Sequence, residues 1–247
     1  MLEMVGSQGV DIRMVPVPKE AKWFYYAGKV YAAGEAETAA EGQTEILIWL
    51  DEDTVIIDEP SHFNLSDDVD FAYVPVMHNR SGSLLEKSPD PFWERIYGLL
   101  SIDEDMLFPM VTPADKQTIR AYFHCGLIVA RPEKGILRRW VKDFEILYND
   151  PSLTEMCQSD ANKRIFLHQT ALTGALLLIP RMNMKPLPSR YNYPIFFEKQ
   201  YGGIETFDSL ENIVSVRCVV SRKNMGENWP EKLSGPPDRI AWLKEHF

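Results

Sequence analysis

Cysteine is scarce in this sequence: three in 247 residues, with Cys125, Cys157 and Cys218 far apart. They form neither a disulfide framework nor a CxxC metal pair, which points to a reducing compartment. Positive charge is scarce as well, since 26 Lys and Arg against 36 Asp and Glu leave a net charge of −10. That balance argues against a sequence-blind nucleic-acid binder, which needs a cationic surface, and against a polybasic membrane anchor. Long apolar runs are missing. The longest, around Ala175–Ile179, is far short of the ~20 residues that cross a bilayer. The opening MLEMVGSQGVDIRM lacks the apolar stretch of a signal peptide. A soluble, cytoplasmic protein is the expectation. With 45 % hydrophobic and 25 % charged residues, the composition is that of a globular chain with a substantial core.

Periodicity predicts strands alternating with helices. Asp11–Pro18 alternates like a strand, and Glu20–Glu41 is a helix rich in Ala and Glu, with Gly34 its weak spot and Gly42 its end. Glu45–Ile57 is apolar on both faces around Asp51-Glu52-Asp53, the pattern of a central strand in a covered sheet. Asp70–Met77, Tyr122–Ala130 and Val214–Val220 are further strands. Asp90–Leu100, Glu133–Tyr148, Phe166–Leu178 and Asp238–Phe247 are helices. Trp23, Phe24, Tyr25 and Tyr26 are assigned to packing. No repeat or linker interrupts the pattern, so residues 1–247 read as one α/β domain.

The sharpest local feature is ILIWLDEDTVII. Side chains alternate along a strand, so Asp51 and Asp53 share one face and Glu52 takes the other. Two carboxylates beside an apolar run need a cation or hydrogen-bond donors to stay charged. A hard divalent ion is one solution; a polar strand end facing solvent is the other. Lys29 and Arg80 are candidates for binding a phosphate. Asp67, Asp68 and Asp70 read as a solvated loop, and no base at fixed spacing activates Cys125.

The run, with Pro60 after it, resembles the DxD strand of GT-A-type glycosyltransferases, the nucleotide-diphospho-sugar transferases. RAYFHCGLIVARP (Arg120–Pro132) resembles that family's acceptor-side strand, FLHQTALTGAL (Phe166–Leu176) its donor-sugar helix, and LPSRYNYP (Leu187–Pro194) its returning Leu-Pro…Tyr-Asn segment. The resemblance covers about residues 10–230. It implies a GT-A-like three-layer α/β/α sandwich with a mixed central sheet. It also implies glycosyl transfer from a nucleotide-diphosphate sugar to an acceptor, with Mn²⁺ or Mg²⁺ on Asp51 and Asp53. The donor site implied comprises Lys29, Glu52, Arg80, His124, Gly126, His168, Gln169 and Asn192. His124 stands where the family has Asn, and VVSRKNMGENWP has no His where some members have a metal ligand.

Only fifty residues precede Asp51, without an evident nucleotide-binding unit. The expectation is therefore an exposed sheet edge beside Asp11–Pro18, an incomplete base pocket, and a homodimer through that edge or a natively longer chain. Two other functions stay open. A haloacid-dehalogenase-type phosphatase would use Asp51 as nucleophile and Asp53 as acid/base, matching DxDx[TV]. A transferase-like binding module would do no chemistry.

Overall fold

Helix α1 (Ala27–Ala40) follows a single 3-10 turn at Ala21–Trp23, and Gly42, at φ +71°, reverses the chain beyond it. The computed structural model describes residues 9–194, 209–218 and 234–246. Then come β1 (Leu47–Leu50), β2 (Thr54–Ile56), β3 (Phe71–Pro75), α2 (Pro91–Leu100), β4 (Pro109–Val111), β5 (Thr118–Arg120) and β6 (Phe123–Ala130). Helices α3 (Ile136–Tyr148), α4 (Pro151–Ser159) and α5 (Ala161–Leu177), strands β7 (Met184–Pro186) and β8 (Ser215–Arg217), and α6 (Pro237–His246) complete the described order. No described helix is long and apolar enough to cross a membrane.

The chain is mixed α/β, and its main sheet has the order β1-β6-β3-β7. Strand β6 runs antiparallel to both neighbours, whereas β3 and β7 are parallel. The central apolar strand is therefore β6, and the run expected to be central splits in two. Its first half, β1, is one edge of the sheet among the described residues, with β7 at the other. Three consecutive acids cannot continue a covered strand, so the chain turns, with Thr54 N donating to Asp51 O at 3.0 Å. Strand β2 then joins β8 in a separate ladder.

The strand expected at Asp11–Pro18 does not form. Most of these residues are exposed, Met14 by 87 %, and only Val17 packs on the core, so β1 has no strand partner on its outer side among the described residues. The other expected elements fall within a few residues of their places, except that α1 starts seven residues later than Glu20, at Ala27, and α5 five residues earlier than Phe166, at Ala161. Residues 219–220 of the last expected strand lie outside the described residues. Helix α4 was not expected. It carries its own start signal in Asp150, which accepts from Leu153 N, and Pro151.

One sheet face carries α1, α2, α3 and α5, with Trp140, Phe144, Leu147, Ile96, Leu167 and Leu172 enclosed between them. Leu127 and Val129 of β6 face the other way, under Phe63, Leu187, Tyr191 and Val214. Gly34 is a packing position, because a Cβ there would come within 2.5 Å of Val141 Cγ2 on α3. Helix α3 begins at Gly135, which has no side chain to cap it. The buried Glu37 of α1 does so instead, accepting from Leu137 N at 3.0 Å and Arg138 N at 2.7 Å. Trp140 Nε1 donates to His168 O at 2.6 Å and ties α5 to α3 beside the acidic pair.

Candidate functional site

The last β1–β6 hydrogen bond, from Asp51 N to Gly126 O at 2.9 Å, fixes where Asp51 leaves the sheet. Its carboxylate is 7 % exposed and meets Lys29 of the first turn of α1. The ammonium donates to Oδ2 at 2.8 Å and lies 2.7 Å from Oδ1, which has no hydrogen bond of its own. Lys29 also sits 4.8 Å from the Tyr26 ring centroid. Burial opposes its charge, but the acidic groups beside it, Cys125 and Asp51, outweigh burial and hold its pKa above the ordinary lysine value.

Asp53, 6 % exposed, faces Arg217 of β8, whose Nε is 3.6 Å from Oδ1. Arg217 Nη1 reaches His124 Nε2 at 3.2 Å. The other ring nitrogen, Nδ1, accepts from Gly126 N at 3.0 Å and lies 3.3 Å from Asn192 Nδ2. Asn192 has φ +52°, a left-handed conformation that Asn tolerates better than most residues, and its N–H donates to Ser215 Oγ at 2.8 Å. Desolvation, then the positive Arg217 and Lys29, push His124 well below the ordinary histidine pKa, so the ring is neutral. Gly126 permits this close packing, since a Cβ would meet His124 Cε1 at 2.6 Å and Asp51 Oδ2 at 2.7 Å.

A second group adjoins the first through Lys29, 3.9 Å from Cys125 Sγ. His168 Nδ1 donates to Ile165 O at 2.8 Å, which leaves Nε2 to accept from the Cys125 thiol at 3.1 Å. Gln169 Oε1 lies 3.6 Å from the same sulfur, and the Tyr26 and His168 rings are 4.7 Å apart. Burial drops His168 to about 3, with Lys29 adding to the effect, and raises the Cys125 thiol. The pair is a neutral thiol and imidazole. Cys125 thus has an imidazole acceptor beside it, contributed by a helix 43 positions along the chain, but not one that activates the thiol.

Eight of the sequence candidates come together: Lys29, Asp51, Asp53, His124, Gly126, His168, Gln169 and Asn192. Glu52 is exposed in the turn between β1 and β2, so the strand alternation expected to place Asp51 and Asp53 on one face does not apply there. Arg80 is exposed in the loop after β3, with no described contact to the carboxylates. His168 and Gln169 lie inside α5 rather than at a helix start. Asp70 is no solvated loop residue: it is buried, accepting from Asn183 Nδ2 at 3.0 Å and facing Lys134 at 3.1 Å. Phe24 packs as expected, while Trp23 and Tyr25 are exposed and Tyr26 borders the site. Arg217 was missed, although it is the lone charge in the run Ile213–Val220, and a charge in an apolar strand demands a partner.

The carboxylate oxygens suit a hard divalent ion, but Lys29 Nζ lies 2.7 Å from Asp51 Oδ1, so an ion on that side of the carboxylate would have to displace the ammonium. Among the described residues, however, no group of three or more His, Cys, Asp or Glu could hold a metal. The segment VVSRKNMGENWP lies outside them. An ion on these two carboxylates would need further ligands from outside the described residues.

No curated protein matches the chain. Among solved structures it is similar to the galactosyltransferase LgtC in complex with donor and acceptor sugar analogues, at 11 % identity over 85 % of this chain and 66 % of that one, TM-score 0.40. It is also similar to the apo form of mouse xyloside xylosyltransferase 1, at 13 % identity over 80 % of this chain and 67 % of that one, TM-score 0.39. The chain thus spans about two thirds of the length of either protein. Residues 1–177, which contain Lys29, the acidic pair, the His124–Gly126 strand and the His168–Gln169 turn, match the Rhodobacterales glycosyltransferase domain, and the chain belongs to that family.

Proposed function

We propose that this chain transfers a sugar from a nucleotide-diphosphate donor to an acceptor, with the diphosphate seated against Asp51, Asp53 and Arg217. Family membership supports the reaction class. The observation that carries the donor is the pair of cations set against the two carboxylates: Lys29 Nζ lies 2.7 Å from Asp51 Oδ1, and Arg217 Nε lies 3.6 Å from Asp53 Oδ1. An ammonium and a guanidinium fork beside one another suit the oxygens of a diphosphate.

Mn²⁺ or Mg²⁺ on Asp51 and Asp53 would supply positive charge to the leaving diphosphate. Arg217 adds a fixed charge from the other side. Gln169, beside Cys125, is the candidate for a donor-sugar hydroxyl. His168 has both nitrogens engaged, by Ile165 and Cys125, so it positions its neighbours rather than touching sugar.

The test is incubation with a panel of nucleotide-diphosphate sugars and Mn²⁺ or Mg²⁺, following release of the nucleoside diphosphate. Release that is lost in Arg217→Met supports the reading. Hydrolysis of p-nitrophenyl phosphate without such release would move the assignment to a phosphatase. Neither binding nor turnover of any nucleotide sugar would reduce the chain to a binding module of another kind.

A further inference from the structure

We infer that Lys29 is the resident cation of the acidic pair, and that a divalent ion enters the site only together with a diphosphate that takes over the lysine ammonium. The inference rests on the donor reading above and deepens it. Lys29 Nζ lies 2.8 and 2.7 Å from the two oxygens of Asp51, where an ion on that carboxylate would sit. Its side chain is 11 % exposed and that of Asp51 7 %, so solvent screens the pair little. An ion bound between those two oxygens would have to displace the ammonium.

Charge counting gives the coupling its direction. Among the described residues, Lys29 pairs with Asp51 and Arg217 with Asp53, and the two neighbouring imidazoles are neutral. A divalent ion alone would add two positive charges beside Lys29 and Arg217 and take the carboxylate from Lys29. A diphosphate alone would bring uncompensated negative charge against two carboxylates. Arriving together, they nearly cancel. Lys29 then exchanges a carboxylate for phosphate oxygens, a change its four-carbon stem allows. The ligand count agrees, because two carboxylates without a third described His, Cys, Asp or Glu need substrate oxygens to complete the shell. Coupling between two ligands is reciprocal, so each must tighten the other by the same factor.

Calorimetry on the full chain tests this with Mn²⁺ alone, a nucleoside diphosphate alone from a panel of bases, and each in the presence of the other. The expected result is weak binding of either alone and mutual tightening on the order of 5–150-fold. Lys29→Met should bind Mn²⁺ alone more tightly than the wild type and lose most of the coupling. Mn²⁺ binding to the wild type equally well with and without nucleotide overturns the inference but leaves the donor reading intact. A folded Lys29→Met with no gain in Mn²⁺ affinity also overturns it. If that variant fails to fold, the wild-type coupling decides alone. If no nucleoside diphosphate binds with or without Mn²⁺, both the inference and the donor reading fall.

Discussion

The two halves of strand β6 contrast sharply although they are continuous in the chain. From Leu127 to Ala130 every residue is fully buried and pairs with β1, as in Leu50↔Leu127 and Leu47↔Ala130. Phe71 and Tyr73 of β3 close the other side against Ala130 and Ile128. In the half from Phe123 to Gly126 the ladder loosens. The β3 partner jumps from Ile128 to His124 between Tyr73 and Val74, and β1 has already ended in Asp51. Irregular pairing of this kind re-aims side chains at sheet rims and sites. Here it turns His124, Cys125 and Gly126 toward charges supplied by α1, α5 and β8. One half is held by backbone ladders on both sides and apolar contact; the other keeps two β3 pairs and the buried Phe123, and adds side-chain hydrogen bonds and ion pairs. Stability and chemistry are thus divided along one strand.

Adjacent substitutions can break that division. Leu127→Ala leaves a cavity between the sheet and Val214, and should cost about 2–5 kcal/mol in urea unfolding without altering ligand affinity of the folded chain. Gly126→Ala should do the reverse. Its new Cβ meets His124 and Asp51, and ligand affinity should fall tenfold or more, about 1.4 kcal/mol, with a smaller loss of stability than Leu127→Ala. Equal effects on stability and affinity in both variants would show the halves to be one unit.

The same boundary marks what the sequence made legible. The apolar half was readable from Leu127-Ile128-Val129-Ala130 alone, and so were α2 from Asp90-Pro91 and the buried face of α3. These signals are local. The edge position of β1 was not readable, since its apolar run looks the same whether one side or both are paired. Asp11–Pro18 misled because alternation without a ladder partner does not make a strand. The site was readable as separate motifs, and the family resemblance brought eight of its residues to one place. Arg217 and the Cys125–His168 contact escaped because they depend on which distant elements meet. Their partners lie 164 and 43 positions away, as the pairs Asp53–Arg217 and Cys125–His168 require.

Acid sharpens the comparison through one buried ring. His168 is neutral when folded, with its pKa at about 3, against about 6.5 when unfolded. Between those values the unfolded chain binds a proton that the folded chain refuses. Its contribution is therefore flat above about 6.5 and falls with decreasing pH by about 1.4 kcal/mol per unit until the folded ring protonates. The raised carboxyls of Glu37, Asp51 and Asp143 act in the opposite sense, because they take up protons sooner folded than unfolded. An NMR titration isolates the ring from these acids. The His168 resonances should not move between pH 8 and 5, and a midpoint near 6.5 would remove the penalty.

The smallest expected effect belongs to Cys125, where the halves differ in chemistry rather than in packing. Its thiol donates to His168 Nε2 at 3.1 Å, and burial raises its pKa, so the pair should not convert to thiolate and imidazolium. The two cysteines outside the site are buried as well, with Cys157 at about 11 and Cys218 at about 12. A disulfide reagent at pH 8 should therefore find no fast thiol in the native chain and three after unfolding. Cys125→Ser keeps a hydroxyl donor for His168 but gives up sulfur packing, and should cost about 1 kcal/mol while changing ligand affinity little. One fast thiol in the native wild type, absent from Cys125→Ser, would mean that the polar half of β6 holds an activated nucleophile. The line between the halves would then separate a scaffold from covalent chemistry, not from ligand binding.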